Sequence, residues 1–268
     1  MQADRPFSAA LKPSPESTLV RIARDSSPAP ELTGFRLMPL GVYSLDARVQ
    51  LARRARYSLD VQYYLIQNDR TGRLLMRNLR DAALRGVRVR LLVDDLYTVG
   101  GDPMFRGLAA FPNVEVRLFN PFCCARQSIA SKYAASIGEF GRLNHRMHNK
   151  LFIADGAVVV AGGRNIADEY FMRSASENFV DMDAFMVGAV VPQLSAIFDT
   201  YWNSPQVYPV EAVLGASNDR EALRKSFDSL VDDGEQMMAL ELPPIDILGY
   251  GPISDDLDAG RLGLIWGK

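Results

Sequence analysis

No run of eighteen apolar residues occurs in this 268-residue chain, so no transmembrane helix is expected. No apolar stretch accompanies Arg5 and Lys12 near the N-terminus, so no signal peptide is expected either. Cysteine is scarce: the two present, Cys123 and Cys124, are neighbours. Adjacent cysteines bridge only with strain, and neither has a Cys or His partner at ligand spacing. That excludes a disulfide framework and a thiolate metal centre, and no metal or other cofactor is expected. Histidine is equally scarce, with only His145 and His148. On a strand, positions three apart face opposite sides, so the two rings are not expected to share a site. No segment repeats.

What is present is an ordinary globular composition, 48% hydrophobic and 23% charged, enough for one large domain. The net charge of −2 hides an asymmetry. Residues 1–150 hold 23 Lys and Arg against 13 Asp and Glu, and residues 151–268 hold 7 against 19. A basic half suits anionic lipid or nucleic acid, although solvated helix faces carrying Arg53, Arg54, Arg56, Arg73, Arg77 and Arg80 account for the excess more plainly.

Residues 1–34, rich in Pro, Ser and charge, read as a poorly ordered lead-in. From Gly34 the pattern alternates. Strands are predicted at Gly34–Leu40, Tyr57–Ile66, Val87–Val93 and Val114–Phe119, with helices from Ser44 to about Arg56, from Thr71 to Arg85 and after Pro103. Residues 122–143 read as a helical insertion. Two apolar strands, Lys150–Ala154 and Ala157–Ala161, follow, joined by Asp155-Gly156, a strong hairpin signal. Asn165–Phe171 opens a helix, Met182–Val187 is a strand and Val191–Trp202 a helix. Beyond Pro205 remain a helix near Ser217–Val231 and short apolar runs at Met237–Leu242 and Leu262–Trp266. The pattern predicts an α/β fold with a mixed, largely parallel sheet sandwiched between helices.

The segment His148–Asn165 carries the chemistry: His148, Lys150, Asp155, Gly162, Gly163 and Asn165 in the pattern H-x-K-x4-D-x6-G-G-x-N. On a strand His148 and Lys150 project the same way, setting an imidazole beside an ammonium. Gly162-Gly163 lets backbone approach a ligand, and Asn165 at a helix start offers donors to a phosphate oxygen. A nucleophile, positive charge and preorganised donors are what phosphoryl transfer requires. A core histidine, a surface lysine and a plain turn would explain a bare H-x-K, but not the whole pattern met without a gap.

The segment resembles the HKD motif of the phospholipase D superfamily. NPF at 120–122, RMHNKLFIADG at 146–156, GGRNIADEYF at 162–171 and DTYWNS at 199–204 are similar to the bacterial cardiolipin synthase branch, nearest its C type, as are LDVQYYL at 59–65 and GVRVRLLVDDL at 86–96. The resemblance covers roughly residues 35–210, marking a phospholipase-D-like domain, with 211–268 resembling a connection to a second HKD half. It implies that His148 is a nucleophile or acid/base working through a phosphohistidine. Lys150, Asn165 and Gly163 would bind phosphate, and Asp155 would support the motif without touching substrate. Gly163 stands where many relatives have serine. The resemblance also implies an acid that orients the imidazole, as histidine bases commonly need. Glu177, Asp181 and Asp183 share odd parity and one expected strand face. Glu177 is favoured, with Asp181 next.

Members of the branch carry two HKD motifs in one chain, and this sequence has one. The resemblance therefore implies either a homodimer or a second HKD half. The leading reading is a phosphatidyltransferase acting on phosphatidylglycerol- or phosphatidylethanolamine-type lipid from the cytoplasmic side or periphery of a bacterial membrane. A homodimeric phosphodiesterase acting on nucleic acid is the alternative, disfavoured by a pI near 5.8. An inactive half-site is the third.

Overall fold

The computed structural model describes residues 4–122, 131, 145–232 and 240–268. The Cys123-Cys124 pair, most of the expected helical insertion and part of the Met237–Leu242 run lie outside the described residues. Among the described residues, nine strands form one sheet: β1 (Thr33–Met38), β2 (Ser58–Tyr63), β3 (Arg88–Asp94), β4 (Val114–Phe119), β5 (Leu151–Ala154), β6 (Val158–Gly162), β7 (Asp183–Gly188), β8 (Val207–Pro209) and β9 (Ile265–Gly267). Their order is β8-β4-β3-β2-β5-β6-β7-β1-β9. Helices α1 (Thr18–Ser26), α2 (Gly41–Arg54), α3 (Arg70–Leu84), α4 (Asp102–Ala109), α5 (Val190–Trp202), α6 (Val210–Leu214), α7 (Arg220–Val231) and α8 (Ile253–Ala259) cover it.

The α/β sandwich is as expected, but the strand directions are not. Among the described strand pairings, only β2–β3 and β3–β4 run parallel, where α3 and α4 supply crossovers. The other described pairings, β1–β7, β1–β9, β2–β5, β4–β8, β5–β6 and β6–β7, are antiparallel. The sheet is mixed and mostly antiparallel: Asp155-Gly156 turns β5 back into β6 as a hairpin, and longer connections bring the other antiparallel neighbours together.

Both sheet faces are buried. Leu59, Val61 and Tyr63 of β2 join Leu75, Leu79 and Phe105 in the larger core. Ile153, Val159, Phe198 and Trp202 close the other face. Between β5 and β6, Asp155 (φ 50°) and Gly156 (φ 61°) both take the left-handed conformation that a tight hairpin demands.

The expected lead-in is corrected. Residues 4–34 are not a loose tail: Ser17 caps α1, whose Leu19, Ile22 and Ala23 are buried. The Ser17 hydroxyl donates to Asp155 at 2.6 Å. Further upstream, Arg88, Arg90 and Arg117 donate to the carbonyls of Ala9, Ser8 and Pro6. The described residues of 211–268 likewise pack onto the domain, with Phe227, Val231, Ile253, Leu257 and Leu262 in its core and β9 in its sheet.

The charge asymmetry resolves within the chain. Arginines of the basic half pair with acids of the acidic half: Arg36–Asp256, Arg48–Asp183, Arg54–Asp258, Arg70–Asp168, Arg77–Asp232 and Arg90–Asp199. Arg80, expected on a solvated face, is buried and bridged to Asp81, Asp228 and Asp232.

Candidate functional site

The site forms where β2 and β3 end and β5 begins. Asp94 and Asp95, the last residues of an apolar strand and its continuation, are both fully buried. The Asp94 carboxylate accepts from the backbone N–H of Leu96 at 2.9 Å and of Met147 at 2.9 Å, and it pairs with Arg146 at 3.2 Å. Asp95 accepts from the Thr98 hydroxyl and from Phe122 N–H at 2.8 Å. Asn120 donates to the His145 carbonyl at 2.9 Å. Thus Asp94 and Asn120 pin residues 145–147, just before His148, while Asp95 holds Phe122. Burial pushes the Asp94 carboxyl up to about 6, although Arg146 and two N–H donors oppose that rise.

His148 is exposed and Lys150 is buried, and they meet on one aromatic ring. The Tyr64 ring centroid lies 4.8 Å from that of His148 and 5.3 Å from the Lys150 Nζ. Lys150 also donates to the His148 carbonyl at 2.8 Å. Desolvation, then the neighbouring Lys150 cation, holds the His148 imidazole below its ordinary pKa, against an upward pull from Asp181. Burial lowers the Lys150 ammonium to about 8 against the pull of Asp181 and Asp183. The pair is therefore a neutral imidazole beside a cation near neutral pH, the protonation states a nucleophile and an anion-binding group need.

Asp155 sits at the far end of β5 from His148. Its buried carboxylate accepts from Ser17 Oγ and from the N–H groups of Arg56, Tyr57 and Ser58 at 2.6–3.2 Å. Its acceptor capacity is spent on the α1 cap and on the entry to β2. We expect Asp155→Ala to lower unfolding free energy by at least about 3 kcal/mol, since it strands three backbone donors. Urea denaturation measures this, and a change under 1 kcal/mol would assign those donors other partners.

The glycine pair lies against two acids. A Cβ on Gly162 would strike the Asp183 carboxylate, and one on Gly163 would strike that of Asp181. Gly163 therefore admits Asp181 close to His148 and Lys150, where a serine would displace it. Asn165 is buried at 3% exposure, but not at a helix start: a bridge at Ile166 and the short 3-10 turn Asp168–Phe171 follow it. Its Oδ1 accepts from Leu65 N–H at 3.2 Å and its amide donates to Tyr170 Oη at 3.0 Å, leaving one N–H for another acceptor.

The three candidate orienting acids separate. Only Asp183 belongs to β7, so the expected shared strand face does not exist. Burial pushes the Asp183 carboxyl up, but Arg48 at 3.1 Å, the Ser44 hydroxyl and Arg164 outweigh it and hold the group ionised below its ordinary range. Glu177 is exposed in the segment before β7, while the charges bearing on His148 are Lys150 and Asp181. Of the three acids, Asp181 is the one placed to act on the imidazole. Sequence reasoning passed over Asp94, Asp95 and Tyr64. An acid pair closing an otherwise apolar strand, and a doubled tyrosine at the end of another, were the available signals. Among the described residues, no group of three His, Cys, Asp or Glu side chains gathers as a metal site. No helix among them is long and apolar enough to cross a membrane.

Residues 49–202 match the family described as cardiolipin synthase, PLD-like domain. Cardiolipin synthase C of Escherichia coli K12 is 41% identical over 232 residues, covering 84% of this chain and 46% of that protein. A cardiolipin synthase of Staphylococcus aureus is 31% identical over 61% of this chain and 31% of its own length. The chain thus spans less than half of these relatives. The solved structure of phosphatidylserine synthase from Haemophilus influenzae superposes with a TM-score of 0.52 at 13% identity, over 81% of this chain and 48% of that one, a likeness of fold. With a family match over more than half its length, and the fold to go with it, the chain belongs to the phospholipase-D-like domain family of cardiolipin synthases.

Proposed function

We propose that this chain supplies one HKD half of a phosphatidyltransferase. The observation that carries the reading is the neutral-tending His148 and the buried Lys150 on one ring. An imidazole nitrogen of His148 attacks phosphorus and the bond to the leaving alcohol breaks. A second histidine, from another copy or another HKD half, protonates the departing oxygen. That histidine then takes the proton of the acceptor alcohol, whose oxygen displaces His148. Lys150 and the remaining Asn165 N–H hold the non-bridging oxygens, and Asp181 steadies the imidazolium character that develops. Water in place of the acceptor makes the same site a hydrolase. The substrate lipid places the assembly at a membrane periphery.

The nucleic-acid reading needs a free basic track. Its support weakens because so many arginines of the basic half are engaged by the chain's own acids. Parallel assays of the assembled enzyme on phosphatidylglycerol vesicles and on single-stranded DNA separate the two. Transfer or hydrolysis of the lipid alone is expected, and cleavage of DNA alone would replace this reading with the nuclease one. The lipid rate should follow a bell-shaped pH profile. It falls on the acid side as His148 gains a proton below its ordinary pKa. It falls on the alkaline side as Lys150 loses its proton near about 8. Lys150→Arg should remove the alkaline limb and most of the activity, because a planar guanidinium does not reproduce a compact ammonium.

A further inference from the structure

Tyr64 belongs to none of the roles assigned so far, yet the site converges on it. Its ring meets His148 at 4.8 Å with a 57° tilt, Tyr97 edge-on at 5.3 Å, and the Lys150 ammonium at 5.3 Å. Among the described residues no hydrogen bond reaches the His148 ring. An exposed imidazole with no bonded partner samples several rotamers, whereas a nucleophile must hold one. We propose that Tyr64 is a positioning residue for His148, an uncharged wall that selects the attacking rotamer and carries the Lys150 cation in register with it. The proposal rests on the reading of His148 as nucleophile.

The backbone makes that wall rigid. Tyr64 follows β2, which pairs antiparallel with β5 through Gln62 and Leu151, so wall and nucleophile ride on hydrogen-bonded neighbours. Tyr97, which meets the same ring, lies just beyond Asp94, the acid that anchors Met147. The charged groups around this assembly are few. Lys150 and Asp181 face His148, Asp181 and Asp183 face Lys150, and Asp94 and Arg146 face Tyr64 beside Tyr97. Burial, then Tyr97, raises the Tyr64 hydroxyl pKa, so the phenol stays neutral over the working range. Edge and tilted ring contacts bias a rotamer, and a cation within about 6 Å of a ring face is attracted to it.

The chain has only two histidines, so imidazole NMR of the full chain reads His148 directly, with His148→Ala as the assignment control. Tyr64→Leu is expected to abolish the ring-current displacement of the His148 resonances and to raise the imidazole pKa toward its ordinary value. Tyr64→Phe should preserve both. In the assembled enzyme, Tyr64→Leu should lower kcat about tenfold or more with KM within about threefold, and Tyr64→Phe should restore it. Tyr64→Met serves as a second non-aromatic variant if leucine is not tolerated by the fold, which circular dichroism reports. A folded leucine or methionine variant with unmoved His148 resonances and pKa would overturn the proposal. So would a phenylalanine variant as impaired as the leucine one. Absence of lipid turnover by the wild-type assembly counts instead against the phosphatidyl-transfer reading, and the imidazole measurement still decides the role of Tyr64.

Discussion

Replacing His148 with alanine in an assembled, active enzyme is expected to reduce turnover by about 10³-fold or more. The expectation follows from what remains. Lys150, Asn165 and the glycine backbone would still bind a phosphodiester, so substrate affinity should change little while the covalent step disappears. Asp181 is too weakly nucleophilic to replace an imidazole, and the other histidine, His145, lies exposed three residues upstream. Single-turnover measurements with labelled phosphatidylglycerol should show no acid-labile phosphoenzyme. A variant that retains more than about a tenth of the wild-type rate, a barrier change under about 1.4 kcal/mol, would remove His148 from the nucleophile's role.

The isolated chain, held as a monomer, is expected to be catalytically silent. An alkoxide leaves phosphorus poorly at neutral pH, and general-acid help is worth about 10²–10⁴-fold. With His148 committed to attack, this chain has one other histidine, the exposed His145 three residues upstream. The second imidazole must then come from a second copy or another HKD half. Around the site Met172, Phe179, Val180 and Met182 are 43–87% exposed, a patch of the kind that drives association. Size-exclusion chromatography with light scattering, run beside the transfer assay, tests this. Activity that rises with the second power of concentration and co-elutes with a dimer fits. A clean monomer with full turnover would defeat the two-histidine mechanism.

The parts of this molecule legible in its sequence are those fixed by local chemistry. Val114–Phe119 was readable as a strand from its alternation, and Asp155-Gly156 as a hairpin, because positive φ at both turn residues favours that dipeptide. His148 and Lys150 do meet on the Tyr64 ring, but not through strand parity, because they lie before the strand that begins at Leu151. Parity failed for Glu177, Asp181 and Asp183 because it presumes one continuous strand, and the strand begins only at Asp183. The order in residues 4–34 was hidden because composition reports solvation, whereas Ser17 is held by Asp155, 138 residues away. The same holds for Asp94. Nothing local distinguishes a surface acid at a strand end from a buried one that grips Met147. Strand direction was misjudged because helices between strands suggest parallel crossovers, whereas the later strands pair antiparallel with distant partners whether or not a helix intervenes.

The position of β1 has a consequence for how the molecule comes into being. Met38 pairs with Asp183, 145 residues later, and Thr33 pairs with Gly188 and Gly267. On a ribosome, β1 emerges before both of its partners and must therefore wait with both edges unpaired until they are made. Closing so long a loop carries an entropic cost and slows folding. The carbonyls of Met38 and Pro39, at the end of this waiting strand, receive the Arg164 guanidinium beside the glycine pair. Synthesis order and assembly order thus differ: β1 is made before β7 and β9 but is seated only with them, and the backbone that receives Arg164 is completed at that point. A nascent chain stalled before Asp183 presents an open strand to its neighbours, which makes the interval between translation and closure the period when this protein most needs protection from aggregation.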